Sequence, residues 1–133
     1  MMKIDKNIVV VASFLGALTI AIGAFGAHGL KELINTKALA TFETGVRYQM
    51  YHVFALFILG NATRIPLNTK KWVFRFFILG IIFFSGSIYL LSLDTLLPFN
   101  AKSLGFITPI GGMFLILGWL RLGFGLIVNK KEE

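Results

Sequence analysis

Twenty consecutive residues, IVVVASFLGALTIAIGAFGA from Ile8 to Ala27, carry no charge. A helix needs about 20 predominantly apolar residues to cross the roughly 30 Å hydrocarbon core of a bilayer. This run meets that length. So do WVFRFFILGIIFFSGSIYLL, Trp72 to Leu91, and the run from Pro109 to Val128, whereas Tyr48 to Ala62 falls short of it. The basic start at Lys3 and Lys6 resembles that of a secretory signal, but the apolar run continues into GAFGAHGL without a polar break. It therefore reads as a retained span.

A chain of 133 residues is expected to form one domain. Its hydrophobic share is 56% and its charged share 14%, against about 25% charged in ordinary soluble domains. It lacks the polar residues to cover a soluble core, and lipid removes that need. The net charge of +7 is explained by lysines and arginines that flank the spans. Outside the spans there is no basic face with interleaved aromatics, so no nucleic-acid partner is expected. The absence of cysteine excludes disulfides, thiol catalysis and cysteine metal sites.

The expected fold class is all-α: a four-transmembrane-helix bundle, a single integral membrane domain over residues 1–133, with spans at about 8–27, 46–63, 72–91 and 107–128. Between the first two spans, LKELINTKALATFETGVR has helical spacing and mixed charge. It is expected to form a short amphipathic interfacial helix that merges into span two. TRIPLNTKK is a short turn, and SLDTLLPFNAKSLGF a longer connection with a polar tip. Thr108-Pro109 suits a helix start, a capping hydroxyl followed by proline at the first helical position. Lys3, Lys6, Arg64, Lys70, Lys71, Lys130 and Lys131 fall on one side, and Lys31, Lys37, Arg47 and Lys102 on the other. That asymmetry predicts cytoplasmic termini in a plasma-membrane protein.

Helices in lipid associate through close packing at small residues. Ser13, Ala17 and Ala21 recur every four residues in span one, as do Thr19, Gly23 and Ala27. Gly23 and Ala27 are expected to meet a neighbouring helix. Gly111 and Gly112, with Gly118, Gly123 and Gly125, are expected to do so in span four, and Ser85, Gly86 and Ser87 in span three. A phosphate-cradling loop at GAFGAHG would need a preceding strand and a following Lys-Ser/Thr, which are missing.

The polar stretch FETGVRYQMYH, Phe42 to His52, precedes the shortest apolar run. On a helix, Glu43, Arg47 and Tyr51 form one stripe, and Thr44, Tyr48 and His52 the stripe beside it. Phe42, Val46, Met50 and Val53 lie opposite. An unpaired charge at mid-bilayer costs about 2.5–3.5 kcal/mol, so Glu43 and Arg47 are expected to pair at i,i+4 at the outer boundary. Tyr48 and His52 would then descend toward the bundle interior. His28, after a glycine-rich helix end, is expected to bond free carbonyls there. His28, Glu43, Arg47, Tyr48 and His52 form the candidate polar cluster. No catalytic, cofactor-binding or metal-ligating set is expected, since two histidines lack a third close ligand.

GAFGAHGL (Gly23–Leu30), FETGVRYQMYH, FSGSIYLL (Phe84–Leu91), TPIGG (Thr108–Gly112) and GW (Gly118-Trp119) occur in this order across nearly the whole chain. Together they resemble the signatures of a family of small multi-pass membrane proteins, domain of unknown function 423, which includes transmembrane protein 256. The resemblance implies a membrane-embedded fold and supplies no activity, cofactor or catalytic residue. The expected function is a non-enzymatic helical membrane module, packed in the bilayer with itself or with a larger complex. The alternative is a small transporter or proton-coupled carrier using the Glu43/Arg47/Tyr48/His52 face. For a membrane enzyme, neither a nucleophile–base pair nor metal-ligand spacing speaks.

Overall fold

The computed structural model describes residues 1–128; Lys130 and Lys131, counted above in the C-terminal tail, lie outside the described residues. The described chain is all-helical. Helix α1 spans Lys3–His28 and α2 spans Thr36–Asn61. Helix α3, Leu67–Gly80, passes through a π-helical segment, Ile81–Ser85, into α4, Gly86–Ser92. Helix α5 spans Ile107–Val128. Short 3-10 turns at Leu30–Glu32, Asp94–Leu96 and Ala101–Leu104 complete the connections.

The segment expected as a separate interfacial helix is instead the beginning of α2. Asn35 accepts from the backbone N–H of Ala38 at 2.9 Å and caps the helix. From Thr36 to Asn61 there is no proline to break it, so the polar turns and the apolar turns form one rod. The start of α5 also differs from expectation. The helix begins at Ile107, and Thr108 turns its hydroxyl to Ser87 at 2.6 Å rather than capping the helix end.

Three helical stretches are long and apolar enough to cross a membrane: Lys3–Glu32, Leu67–Ser92 and Ala101–Val128. Helix α2 has 26 residues, but its first half carries Lys37, Glu43 and Arg47. The four-span expectation is thereby narrowed to an all-helical chain with three such stretches.

Helix α1 packs on α2, α2 on α4 and the π segment, and α3 with the π segment on α5. The core joins Ile8 and Ala12 of α1, Leu56 and Leu59 of α2, Val73, Phe77 and Ile81 of the α3–π rod, and Leu115 of α5. Phe77, Ile81 and Ser85 recur every four residues and are all buried. An α-helix turns once in 3.6 residues, so a four-residue repeat drifts by about 40° per step. The wider π turn absorbs that drift and holds the stripe inward.

Glycine permits the closest approach between rods. A Cβ at Gly111 would run into the backbone of Phe83 and Phe84, in the π segment, and one at Gly118 into the Phe77 ring. A Cβ at Gly112 would lie at an ordinary 3.6 Å from the Phe84 ring, and one at Gly123 would meet nothing within 4 Å. On α1, a Cβ at Gly26 would meet the Phe42 ring at 2.8 Å, and one at Gly23 would meet Val46 at 3.3 Å. Ala27 is exposed. The α1 face that meets α2 therefore runs through Gly23 and Gly26, not through Gly23 and Ala27 as the four-residue row suggested.

Candidate functional site

Helix α2 buries Phe42, Gly45, Gln49, His52, Leu56 and Leu59, which follow a 3-4-3-4-3 spacing along one face. Two of the six are polar, and each is bonded to another helix. The Gln49 side-chain amide donates to the Thr19 hydroxyl at 2.8 Å. Thr19 in turn donates to the Leu15 carbonyl at 2.6 Å. The Tyr89 hydroxyl donates to the Gln49 side-chain carbonyl at 2.7 Å. One glutamine thus ties α1, α2 and α4 together.

His52 lies one turn further along. Its Nδ1 faces the Tyr48 carbonyl at 2.7 Å, and its Nε2 receives the indole N–H of Trp119 at 3.1 Å. An indole nitrogen can only donate, so Nε2 is the acceptor and the ring proton sits on Nδ1. The imidazole is also edge-on to the Phe77 ring, with centroids 5.0 Å apart. Both ring nitrogens are occupied by the protein itself.

Two further polar contacts fix the rods. Ser85, in the π segment, donates to the Gly45 carbonyl at 2.8 Å. At the end of the molecule where α1 begins, Lys70 and Asp5 form an ion pair at 2.6 Å, with side chains only 5% and 13% exposed. Among the described residues, no buried side-chain nitrogen or oxygen lacks a hydrogen-bond partner.

The expected cluster is dispersed. His52 is in the core, while Tyr48 is exposed and packs its ring on Tyr51 and Phe84. Glu43 and Arg47 are exposed and do not form the expected ion pair; the pairs among the described residues are Asp5–Lys70 and Asp94–Lys102. Arg47 donates to the Thr44 hydroxyl at 3.1 Å instead. A surface pair at i,i+4 gains only a few tenths of a kcal/mol, and a neighbouring hydroxyl competes with it. His28 is exposed, with Nδ1 2.9 Å from the Ala24 carbonyl in its own helix. Among the described residues, no three of His, Cys, Asp or Glu converge on a metal site.

Sequence reasoning missed Gln49, Tyr89 and Trp119 as bonded groups, and the Asp5–Lys70 pair. A signal existed for the first. Gln49 is the sole glutamine of the chain, and it falls on the 3-4 repeat that carries Phe42, Leu56 and Leu59.

A stack of long apolar helices around internally bonded polar side chains is the construction of a helical membrane protein, and the comparisons agree. Residues 22–112 match the family described as "Protein of unknown function (DUF423)", and the chain belongs to that family. A UPF0382 membrane protein of Staphylococcus haemolyticus is 39% identical over 120 residues, covering 88% of this chain and 92% of its own. The UPF0382 membrane protein YwdK of Bacillus subtilis is 35% identical over 122 residues, covering 88% and 93%. The UPF0382 inner membrane protein YgdD of Escherichia coli is 33% identical over 131 residues, covering 96% and 95%. No solved structure matches the chain.

Proposed function

We propose that the protein is a non-enzymatic, four-span membrane module of the plasma membrane, with both termini cytoplasmic, that packs with itself or within a larger membrane complex. The observation that carries this reading is the mutual saturation of the buried polar groups. Gln49 bonds both Thr19 and Tyr89, and His52 is filled by Tyr48 and Trp119. A carrier or a catalyst working through the buried groups would need one of them free to take a proton or a ligand, and these are engaged.

The ion pair between Asp5 and Lys70 supports the fourth span. It brings the start of α3 to the end of the molecule where α1 starts. Helix α1 delivers the chain to the opposite end, so α2 has to carry it back. Its 26 residues rise about 39 Å, more than the hydrocarbon thickness.

Vesicles reconstituted with the purified protein and loaded with a pH-sensitive dye test the reading. Imposed proton gradients should decay as in protein-free vesicles. A faster decay that is abolished by His52→Phe would overturn the module in favour of a proton-coupled carrier.

A further inference from the structure

Along α1 and α2 runs a furrow in which the buried polar network takes no part. Two hollows mark it. One of about 300 Å³ lies between Ala12–Ile20 of α1 and Met50–Phe57 of α2. The other, about 210 Å³, is walled by Gly23, Phe42 and Val46 together with Glu43 and Arg47. On α2 the walls recur at Glu43, Val46, Met50, Val53 and Phe57, a 3-4-3-4 spacing that stays on one helix face. The two hollows share no lining residue, but they follow one another along this face of the α1/α2 furrow. Its floor on α1 is low because Ser13, Gly16 and Ala17 are small.

The furrow is long enough to take an acyl chain through one leaflet. Fourteen residues separate Glu43 from Phe57, about 21 Å along the helix, and one leaflet of hydrocarbon is about 15 Å deep. Eighteen residues separate Glu43 from Asn61 at the far end of α2, about 27 Å. Glu43 is thus nearly one hydrocarbon thickness away from that end, at headgroup depth.

Its mouth carries one charge of each sign. Glu43 and Arg47 both line the upper hollow, both are exposed, and they are not bonded to each other. We propose that this furrow binds one phosphatidylethanolamine molecule, with an acyl chain laid between α1 and α2, its ammonium on Glu43 and its phosphate on Arg47. A primary ammonium offers N–H donors to a carboxylate, and a guanidinium matches a phosphate with paired donors. A choline headgroup lacks those N–H donors, and a glycerol headgroup sets no cation against Glu43. The proposal rests on the reading of α2 as a fourth span and is independent of what the buried polar groups do.

Native mass spectrometry of the full chain in detergent, titrated with palmitoyl-oleoyl phosphatidylethanolamine, phosphatidylcholine and phosphatidylglycerol, tests it. Phosphatidylethanolamine should bind about tenfold more tightly than the other two, the worth of one charge-assisted bond. Glu43→Gln should reduce it to the phosphatidylcholine level, and Arg47→Gln should weaken all three, because each carries the phosphate. Ala17→Leu fills the furrow from an exposed position and should weaken all three lipids, whereas Leu18→Ile should weaken none. Circular dichroism melts confirm that each variant is folded. Equal binding of the three lipids, or lipid binding untouched by Ala17→Leu, overturns the proposal. A lipid-free dimer that Ala17→Leu splits also overturns it, and assigns the furrow to a second copy of the chain.

Discussion

The indole N–H of Trp119 on α5 donates to Nε2 of His52 on α2 across 3.1 Å, joining two helices that are far apart in sequence. Trp119 is itself 49% exposed, so this bond is the partition between a buried imidazole and the lipid. Trp119→Phe keeps an aromatic ring and removes the donor. It should lower unfolding free energy in mild detergent by about 1–2 kcal/mol, the cost of an orphaned acceptor plus some contact area. In a double-mutant cycle with His52→Phe the losses should be non-additive by about 0.6 kcal/mol, the usual worth of such a bond in a membrane protein. Additive losses would show that the two rings merely pack.

Gly111 and Gly123 lie on the same helix and make opposite predictions. A methyl group at Gly111 collides with backbone of the π segment, which cannot rotate away as a side chain can. Gly111→Ala should cost about 1–3 kcal/mol, the range for overpacking. Gly123 faces open space, and Gly123→Ala should be neutral or stabilising by up to about 1 kcal/mol through helix propensity. Melting temperatures of the two variants, measured side by side, check the contrast.

The Asp5–Lys70 pair is nearly enclosed, so removing one partner strands the other. Asp5→Asn and Lys70→Met should each destabilise by about 1–2 kcal/mol, and Asp5→Leu with Lys70→Met should recover part of that loss, because both desolvation costs disappear together. Denaturant titrations of the three variants give the comparison. A double variant as weak as the sum of the single ones would mean that the charges do not act as a pair.

The proposed topology has its own readout. A reporter active only outside the cytoplasm, fused after Glu133, should remain silent, and the same reporter placed in the Asp94–Leu104 connection should be active. The reverse pattern would invert the protein in the membrane.

Much of the helical organisation was legible because hydropathy is a long-range signal: a run such as Ile8–Ala27 has few alternatives. Helix ends were less legible. They follow local chemistry, as at Asn35 and Pro66, and α1 and α2 continue well beyond their apolar stretches. The polar positions were the hardest. Taking Glu43, Arg47, Tyr48, Tyr51 and His52 of FETGVRYQMYH as one polar half put Tyr48 and His52 together. The backbone separates them, because a core that accepts Gln49 and His52 at 3-4 spacing turns Tyr48 and Glu43 outward. Partners such as Thr19, Tyr89 and Trp119 are dozens of residues away, and no local pattern announces them.

The contacts of α1 also bear on the order in which the protein can be built. During synthesis α1 reaches the membrane first, yet both of its polar attachments lie downstream: Gln49 on α2, and Lys70 after a further turn of chain. Until those residues emerge, Asp5 waits at the bilayer edge without its cation, and Thr19 has only its own helix to bond. Closure of the Asp5–Lys70 latch therefore marks the moment at which two helices have been delivered and the third has begun, and the first can no longer drift away.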